Sequence, residues 1–198
     1  MGERTIEVLT LCTGNACRSP MAAALLARHL AARRVDAVVR SAGTRAWAQG
    51  ATALTQDAMR EYGVDLAAHR NAQLDAAVLA RADLVLVMTR DHVAMAVARC
   101  PAVEPRAFLV GELARLGTRV GPPARDEPVR DWAGRVAAAR PPGRPIGRAG
   151  EEVADPVGEP LAVHRRTAAT LDRHLATIAE LLATPAELGH SRTHTVAE

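Results

Sequence analysis

Cys12-Thr-Gly-Asn-Ala-Cys-Arg18-Ser19-Pro20 is the stretch that decides the fold of this 198-residue chain. An apolar run at 5–11, typical of a buried strand, precedes it, and a helical pattern at 19–32 follows it. Between them, Gly14 and Asn15 tolerate backbone angles that turn successive N–H groups inward. Such donors at the start of a helix form a cradle for an anion. The stretch therefore predicts a phosphate-binding loop between the first strand and the first helix.

The same stretch carries a nucleophile and an anion clamp. The thiolate of Cys12 would be the attacking group, and Ser19 can donate a hydrogen bond to its sulfur. Arg18 can hold two phosphate oxygens in bidentate fashion, which a lysine cannot do. In-line attack would give a phosphocysteine, which water then hydrolyses. The residues predict cysteine-dependent phosphoryl chemistry.

Cys100 and Arg106 repeat the same spacing elsewhere in the chain. Their loop contains Pro101 and Pro105, which have no N–H to donate, and Glu104, which repels phosphate. It also follows a helical pattern rather than a strand. We therefore interpret this second match as accidental.

Phosphoryl transfer also needs a group that gives and takes a proton. Asp155-Pro156, followed by Gly158, predicts a stiff loop that holds a carboxyl ahead of the last helix. Taken alone, an Asp-Pro pair more often marks an ordinary turn. The competing carboxyls lie in a stretch rich in Pro and Arg: Asp126, Glu127 and Asp131.

The rest of the chain alternates strand and helix patterns, which predicts an α/β sandwich with parallel strands. Further strands are expected at 35–40, 83–88 and 107–110, and further helices at 52–62, 91–99 and 161–182. Residues 117–154 hold half of the chain's 12 prolines, and only 129–140 has a helical pattern there. We expect one domain over 1–184, a surface excursion at 117–154 and a disordered tail at 185–198.

Composition excludes several other classes of function. All 25 basic residues are arginine, they are scattered, and aromatics are only 2% of the chain. A nucleic-acid surface, with clustered cations and interleaved aromatics, is therefore not expected. No apolar stretch reaches membrane-spanning length, and three cysteines without a signal peptide favour a reduced cytoplasmic protein. Cys12 and Cys17 lack further ligands, and His190 and His194 lie in a polar tail, so neither a metal nor a cofactor is expected.

Together these residues resemble the low-molecular-weight protein tyrosine phosphatases, over residues 6–182 with 117–151 unmatched. The resemblance rests on the cradle stretch, on Ser41-Ala-Gly-Thr44 with Trp47, on Ala82-Asp-Leu-Val-Leu-Val-Met88 and on Asp155-Pro156. It implies a three-layer sandwich around a four-stranded parallel sheet, a phosphorylated protein as substrate, and a monomer or weak dimer.

The resemblance also implies roles for individual residues. Cys12 would be the nucleophile, Arg18 the phosphate ligand and Asp155 the acid and base. Three residues would brace the cradle, namely Asn15, Ser41 and His69. From sequence alone, His69 is more typical of a surface histidine or a hydrogen-bonded core histidine, and Ser41 of a turn residue. Trp47 would line the pocket, although a core position fits its pattern almost as well. The loop itself would bind phosphate through Thr13, Gly14, Asn15, Ala16, Cys17 and Ser19.

Three activities stay open at this point. Hydrolysis of phosphotyrosine is the first, and the related protein arginine phosphatases are the alternative. Tyrosine-directed members often carry an aromatic where this chain has Val157 and a bulky aliphatic where it has Ala16; the arginine branch has Thr at the latter position. Arsenate reductases share the cradle but need a further cysteine pair, for which this chain offers only Cys100. A reversible Cys12–Cys17 disulfide that protects the nucleophile is a further hypothesis.

Overall fold

Four parallel strands form one sheet at the centre of the molecule. The computed structural model describes residues 5–47, 49–143 and 146–183, and the predicted tail at 185–198 lies outside them. The strands are Ile6–Cys12 (β1), Ala37–Gly43 (β2), Leu84–Val87 (β3) and Ala107–Leu109 (β4). They lie in the order β2-β1-β3-β4, and Cys12 at the end of β1 lies opposite Gly43 at the end of β2.

Helices cover both faces of this sheet, which confirms the predicted three-layer α/β sandwich. They are Arg18–Ala32 (α1), Ala53–Arg60 (α2), Ala76–Arg81 (α3), Arg90–Arg99 (α4), Val110–Val120 (α5), Val129–Ala138 (α6) and Leu161–Ala183 (α7). A 3₁₀ helix spans Pro101–Arg106. No helix in the described part of the chain is both long and apolar enough to cross a bilayer.

Alternation along the strands divides the core into two clusters. On β3, Leu84 and Leu86 join the cluster that contains α1 and α7, whereas Val85 and Val87 join the one beneath α3 and α4. Side chains of a strand point to opposite faces in turn, so a continuous apolar run serves both layers. The carboxyl ends of β1, β2 and β3 therefore meet at one edge, between two packed helical layers.

The second match to the Cys–Arg spacing, at Cys100 and Arg106, is confirmed as accidental. Its loop is the 3₁₀ helix rather than a cradle. The Arg106 guanidinium is buried and donates to the carbonyl of Ala102 at 2.7 Å. This arginine caps backbone oxygens instead of facing a pocket.

The proline-rich stretch at 117–154 contributes to the core, which corrects its interpretation as a surface excursion. Its first four residues complete α5, which the sequence did not reveal. In α6, Trp132 is fully buried and its Nε1 donates to the carbonyl of Gly121 at 2.8 Å. Apolar Trp132, Ala133 and Val136 share the buried side of α6. The helix itself was predicted at 129–140, but the flanking prolines and arginines masked its packing into the core.

Candidate active site

The loop that follows β1 presents its carbonyl oxygens outward. The carbonyls of Cys12, Thr13 and Gly14 accept hydrogen bonds of 2.9–3.0 Å from the backbone N–H groups of the segment after β2. Asn15 stands in the left-handed region, with φ at 55°. With the carbonyls bonded on the outside, the N–H ends of the peptide dipoles turn toward the centre of the loop. The geometry is that of the predicted anion cradle, at the first turn of α1.

Cys12 lies buried at the base of this cradle. Its Sγ is 3.0 Å from the Ser19 hydroxyl. That hydroxyl accepts a hydrogen bond from Asn15 Nδ2 at 2.9 Å, and its own hydrogen can point to the sulfur or to the Ala42 carbonyl, which is farther away at 3.3 Å. The predicted contact between Ser19 and Cys12 is therefore present, and it stabilises negative charge on the sulfur.

A buried asparagine holds the shape of the cradle. The side chain of Asn15 donates to Ser41 Oγ at 2.9 Å and accepts from the N–H of Ala72 at 2.8 Å. His69 Nε2 donates to the Asn15 carbonyl at 2.8 Å. The three residues that the resemblance grouped thus meet in one network. Asn71, which the sequence analysis did not select, adds a 2.9 Å bond to the Gly14 carbonyl.

Arg18 and Asp155 meet across the mouth of the cradle. One terminal nitrogen of Arg18 pairs with the Asp155 carboxylate, and the other donates to the Val153 carbonyl at 3.2 Å. The Arg18 Nε is buried and has no hydrogen-bond partner among the described residues. A bound oxyanion would supply acceptors for that nitrogen, so the side chains present fit a phosphoryl group.

Packing alone brings Asp155 to this place. The loop before α7 is tied to the end of β3 by a 2.8 Å bond from the Val153 N–H to the Met88 carbonyl. Asp155 lines the open pocket of about 960 Å³ above the cradle. None of the three competing carboxyls lies along that pocket, and Glu127 is paired with Arg135 within its own segment.

Comparison with known proteins gives this site its family. A profile described as "Low molecular weight phosphotyrosine protein phosphatase" matches residues 7–112. The chain belongs to this family.

Its relatives carry names from two branches. A protein-arginine-phosphatase of Geobacillus stearothermophilus is 31% identical over 181 residues, which span 90% of this chain and 97% of that protein. The low molecular weight protein-tyrosine-phosphatase Etp of Escherichia coli is 34% identical over 107 residues, 54% of this chain and 70% of its own. A solved structure of the YwlE arginine phosphatase, a cysteine-to-serine mutant with a phosphorylated active-site serine, has a TM-score of 0.65. It is 26% identical, and the alignment covers 88% of this chain and 94% of the other.

An exposed aromatic lies against the cradle of this low-molecular-weight phosphatase, but it is not among the residues that line the pocket of about 960 Å³. Trp47 keeps 41% of its surface exposed, so it is not a core anchor. Its ring lies over Gly14, where an added Cβ would come within 2.9 Å of the indole. Close approach of ring and loop thus requires a glycine at this position.

The phosphatase also has a buried histidine at the pocket that the sequence analysis did not select. His92, in the first turn of α4, lines the pocket and contacts the cradle through Thr13. Burial, with the charge of Arg18 nearby, lowers the pKa of His92 to about 4. The one feature of the sequence that could have pointed to His92 is its position three residues after Thr89, which suits the N-cap of a helix.

Cys17 connects the cradle to the helical layer behind it. All three cysteines are free thiols, and burial raises the pKa of the Cys17 thiol. Its Sγ lies 3.5 Å from the Thr52 hydroxyl, which donates to Thr55 at 2.8 Å. Thr55 in turn contacts His164 Nδ1 of α7 at 3.2 Å. A buried polar chain thus runs from the cradle to the helix that follows the Asp155 loop.

Proposed function

We propose that this chain hydrolyses phosphotyrosine in proteins, with Cys12 as nucleophile, Arg18 as phosphate ligand and Asp155 as proton donor and acceptor. The observation that carries the proposal is the convergence of these three side chains at one pocket. Cys12 lies at the base of a donor-lined loop, and Arg18 and Asp155 meet at its mouth. Residues separated by 137 positions in sequence converge where the chemistry needs them.

In the first step the Cys12 sulfur attacks phosphorus in line with the ester bond. A sulfur–phosphorus bond forms while the bond from phosphorus to the tyrosine oxygen breaks. Asp155 gives its proton to that oxygen, so the leaving group departs as neutral tyrosine. The inward N–H groups and Arg18 bind the equatorial oxygens, where charge accumulates in the transition state.

In the second step water breaks the sulfur–phosphorus bond. Asp155, now a carboxylate, takes a proton from the attacking water, and inorganic phosphate and the Cys12 thiolate are released. Ser19, 3.0 Å from the sulfur, stabilises the thiolate as it leaves. The network around Asn15 keeps these donors in place before substrate arrives, so little reorganisation is needed.

The surroundings of the pocket support an aromatic substrate. Trp47 lies exposed beside the cradle, and Met95 is an exposed apolar side chain of the pocket wall. An aryl ring packs favourably on such groups. Phosphoarginine is the second candidate, because Asp91 and Glu152 also line this pocket and carboxylates suit a guanidinium.

Arsenate reduction is less well supported. That chemistry needs a resolving pair of cysteines beyond the cradle, and the chain has three cysteines in all. Cys17 lies within the cradle, which leaves Cys100 alone, packed against the core cluster beneath α4.

We keep a reduced, cytoplasmic setting as part of the proposal, since the nucleophile must stay a thiolate. A monomer or weak dimer remains our prediction.

A rate comparison on two substrates tests this proposal. Wild type and Cys12→Ser are assayed on matched phosphotyrosine and phosphoarginine peptides by phosphate release, with orthovanadate binding measured in parallel. We expect a higher kcat/KM on phosphotyrosine, no detectable turnover by Cys12→Ser, and vanadate binding that survives in the variant. Cys100→Ser is the matched control, because it removes the other cysteine with the same Cys–Arg spacing, and it should keep full activity.

The two parts of the proposal fail separately. Turnover by Cys12→Ser would disprove the phosphocysteine mechanism. A higher kcat/KM on phosphoarginine, with the same dependence on Cys12, would keep the mechanism and replace the substrate.

A further inference from the structure

His92 and Thr13 form a contact between the second helical layer and the rim of the cradle. His92 Nε2 is 3.0 Å from Thr13 Oγ1. The histidine is only 4% exposed, whereas Thr13 is exposed and lines the pocket together with Arg18 and Asp155. The contact joins residues 79 positions apart, so the fold and not the local sequence creates it.

The contacts of Nδ1, the other ring nitrogen of His92, determine which tautomer of the neutral ring is present. Nδ1 is 3.2 Å from the backbone N–H of Thr89, which can only donate, and 2.9 Å from the Thr89 hydroxyl. Nδ1 must therefore be an acceptor, and the proton of a neutral imidazole is on Nε2. Nε2–H then donates to Thr13 Oγ1, which leaves the hydrogen of the Thr13 hydroxyl free to point away from the histidine.

We propose that His92 is a positioning residue that fixes the Thr13 hydroxyl as a hydrogen-bond donor to the transferring phosphoryl group. The inference rests on the proposed phosphatase function. With one lone pair of Oγ1 occupied by His92, the hydroxyl is held with its hydrogen toward the pocket that Thr13 lines. A donor that is oriented before the reaction stabilises the charge on the phosphoryl oxygens without the free-energy cost of reorientation.

The charges around His92 keep it in this state. Burial and the positive charge of Arg18 disfavour the imidazolium, against the weaker opposing effect of Asp155, Asp91 and Glu152. The pKa near 4 leaves the ring neutral throughout the neutral range. An imidazolium would keep its Nε2 donor but would also carry a proton on Nδ1, so it would lose the hydrogen bond from the Thr89 N–H that holds the ring in place.

A double-mutant cycle between the two residues tests the inference. We compare wild type, Thr13→Val, His92→Ala and the double variant on p-nitrophenyl phosphate. Thr13→Val should lower kcat by about tenfold, the effect expected for one hydrogen bond to a charged group, and should weaken orthovanadate binding about equally. His92→Ala should lower kcat several-fold, and in the Thr13→Val background it should cause no further loss, because the hydroxyl that it orients is absent.

A conservative variant and a matched control separate positioning from a structural role. Thr13→Ser retains the hydroxyl and should lose less of kcat than Thr13→Val. His29→Ala, which removes a histidine paired with Asp172 on the helices behind the sheet, is the matched control and should leave kcat unchanged. If His92→Ala does not fold, Thr13→Val and Thr13→Ser still test the donor, since neither touches the α4 cap.

The outcomes are distinct. An active wild type with an unchanged kcat in Thr13→Val would overturn the inference and leave the proposed function intact. Additive losses in the double variant would show that His92 does not act through the Thr13 hydroxyl and would overturn the inference. A wild type without phosphatase activity would overturn the proposed function instead.

Discussion

Arg18 is held by Asp155, the residue that we propose as proton donor and acceptor. Its side chain is almost fully buried, while 46% of the Asp155 side chain is exposed, and the two form an ion pair. An incoming phosphoryl group needs the same guanidinium nitrogen. We therefore expect substrate binding to move Asp155 from Arg18 toward the leaving group, which is where the proposed general acid is required.

Replacing Asp155 should separate binding from catalysis. Asp155→Ala removes the proton donor and should lower kcat by about 100-fold or more, with the largest loss for poor leaving groups. It also removes a carboxylate that competes for Arg18, so inorganic phosphate should inhibit at lower concentration than in wild type. Leaving-group series and phosphate inhibition constants measure both effects.

Asp126→Ala provides the control at this scale, because Asp126 is a carboxyl that does not line the pocket. A comparable loss in Asp126→Ala would mean that Asp155 is not the acid. Weaker phosphate inhibition in Asp155→Ala would contradict the competition for Arg18.

The end of β2 supports the cradle from outside by close backbone contact. A Cβ added to Gly43 would lie 2.5 Å from the Thr13 carbonyl oxygen and 3.0 Å from the Asn15 nitrogen. Both are backbone atoms of the cradle, which cannot move aside without turning their peptide groups. The glycine in Ser41-Ala-Gly-Thr44 is therefore needed for space, and its position opposite Cys12 in the sheet register sets that requirement.

Gly43→Ala should distort the cradle more than it destabilises the protein. We expect kcat to fall by at least about tenfold, since catalysis depends on ångström-scale placement of groups, together with weaker orthovanadate binding. Gly134→Ala is a matched control: it lies in α6 with open space around its added Cβ, and helix propensity favours the change by up to about 1 kcal/mol. An active Gly43→Ala enzyme with normal vanadate affinity would show that the contact is not tight in solution.

Much of the element pattern was readable from the sequence. The four strands and helices α1, α2, α4, α6 and α7 were predicted, with ends displaced by up to three residues. Helices α3 and α5 were not. Helix α3 is only six residues long, and α5 starts directly after β4, so its first residue, the buried Val110, continued the apolar run of the strand.

Two histidines are buried uncharged in the interior of the protein. His92 in α4 and His164 in α7 are 4% and 2% exposed. Burial lowers the pKa of both side chains, to about 4 for His92. In the unfolded chain these groups protonate near the ordinary histidine value of about 6.5. Below that pH the unfolded state binds protons that the folded state does not, so acid favours unfolding.

Stability should therefore fall as pH drops from about 6.5 toward 4. In that window His92 contributes a slope of up to about 1.4 kcal/mol per pH unit to the free energy of unfolding, and the lowered pKa of His164 acts in the same direction. Urea denaturation at several pH values measures the slope in wild type and in His92→Gln. The variant should show a shallower decline, and identical slopes would mean that folding leaves proton binding at His92 unchanged.

The sequence by itself determined the cradle, because its parts are contiguous: a buried strand, a Gly-Asn loop and a helix start are local properties of residues 5–32. It also determined the chemistry of Cys12 and Arg18, which face one centre through that short loop. The tertiary structure alone decided which carboxylate reaches Arg18, where the proline-rich stretch packs, and that His92 contacts Thr13. Those contacts join residues 79 and 137 positions apart, and only the packing of helices on both faces of the sheet brings such distant side chains together.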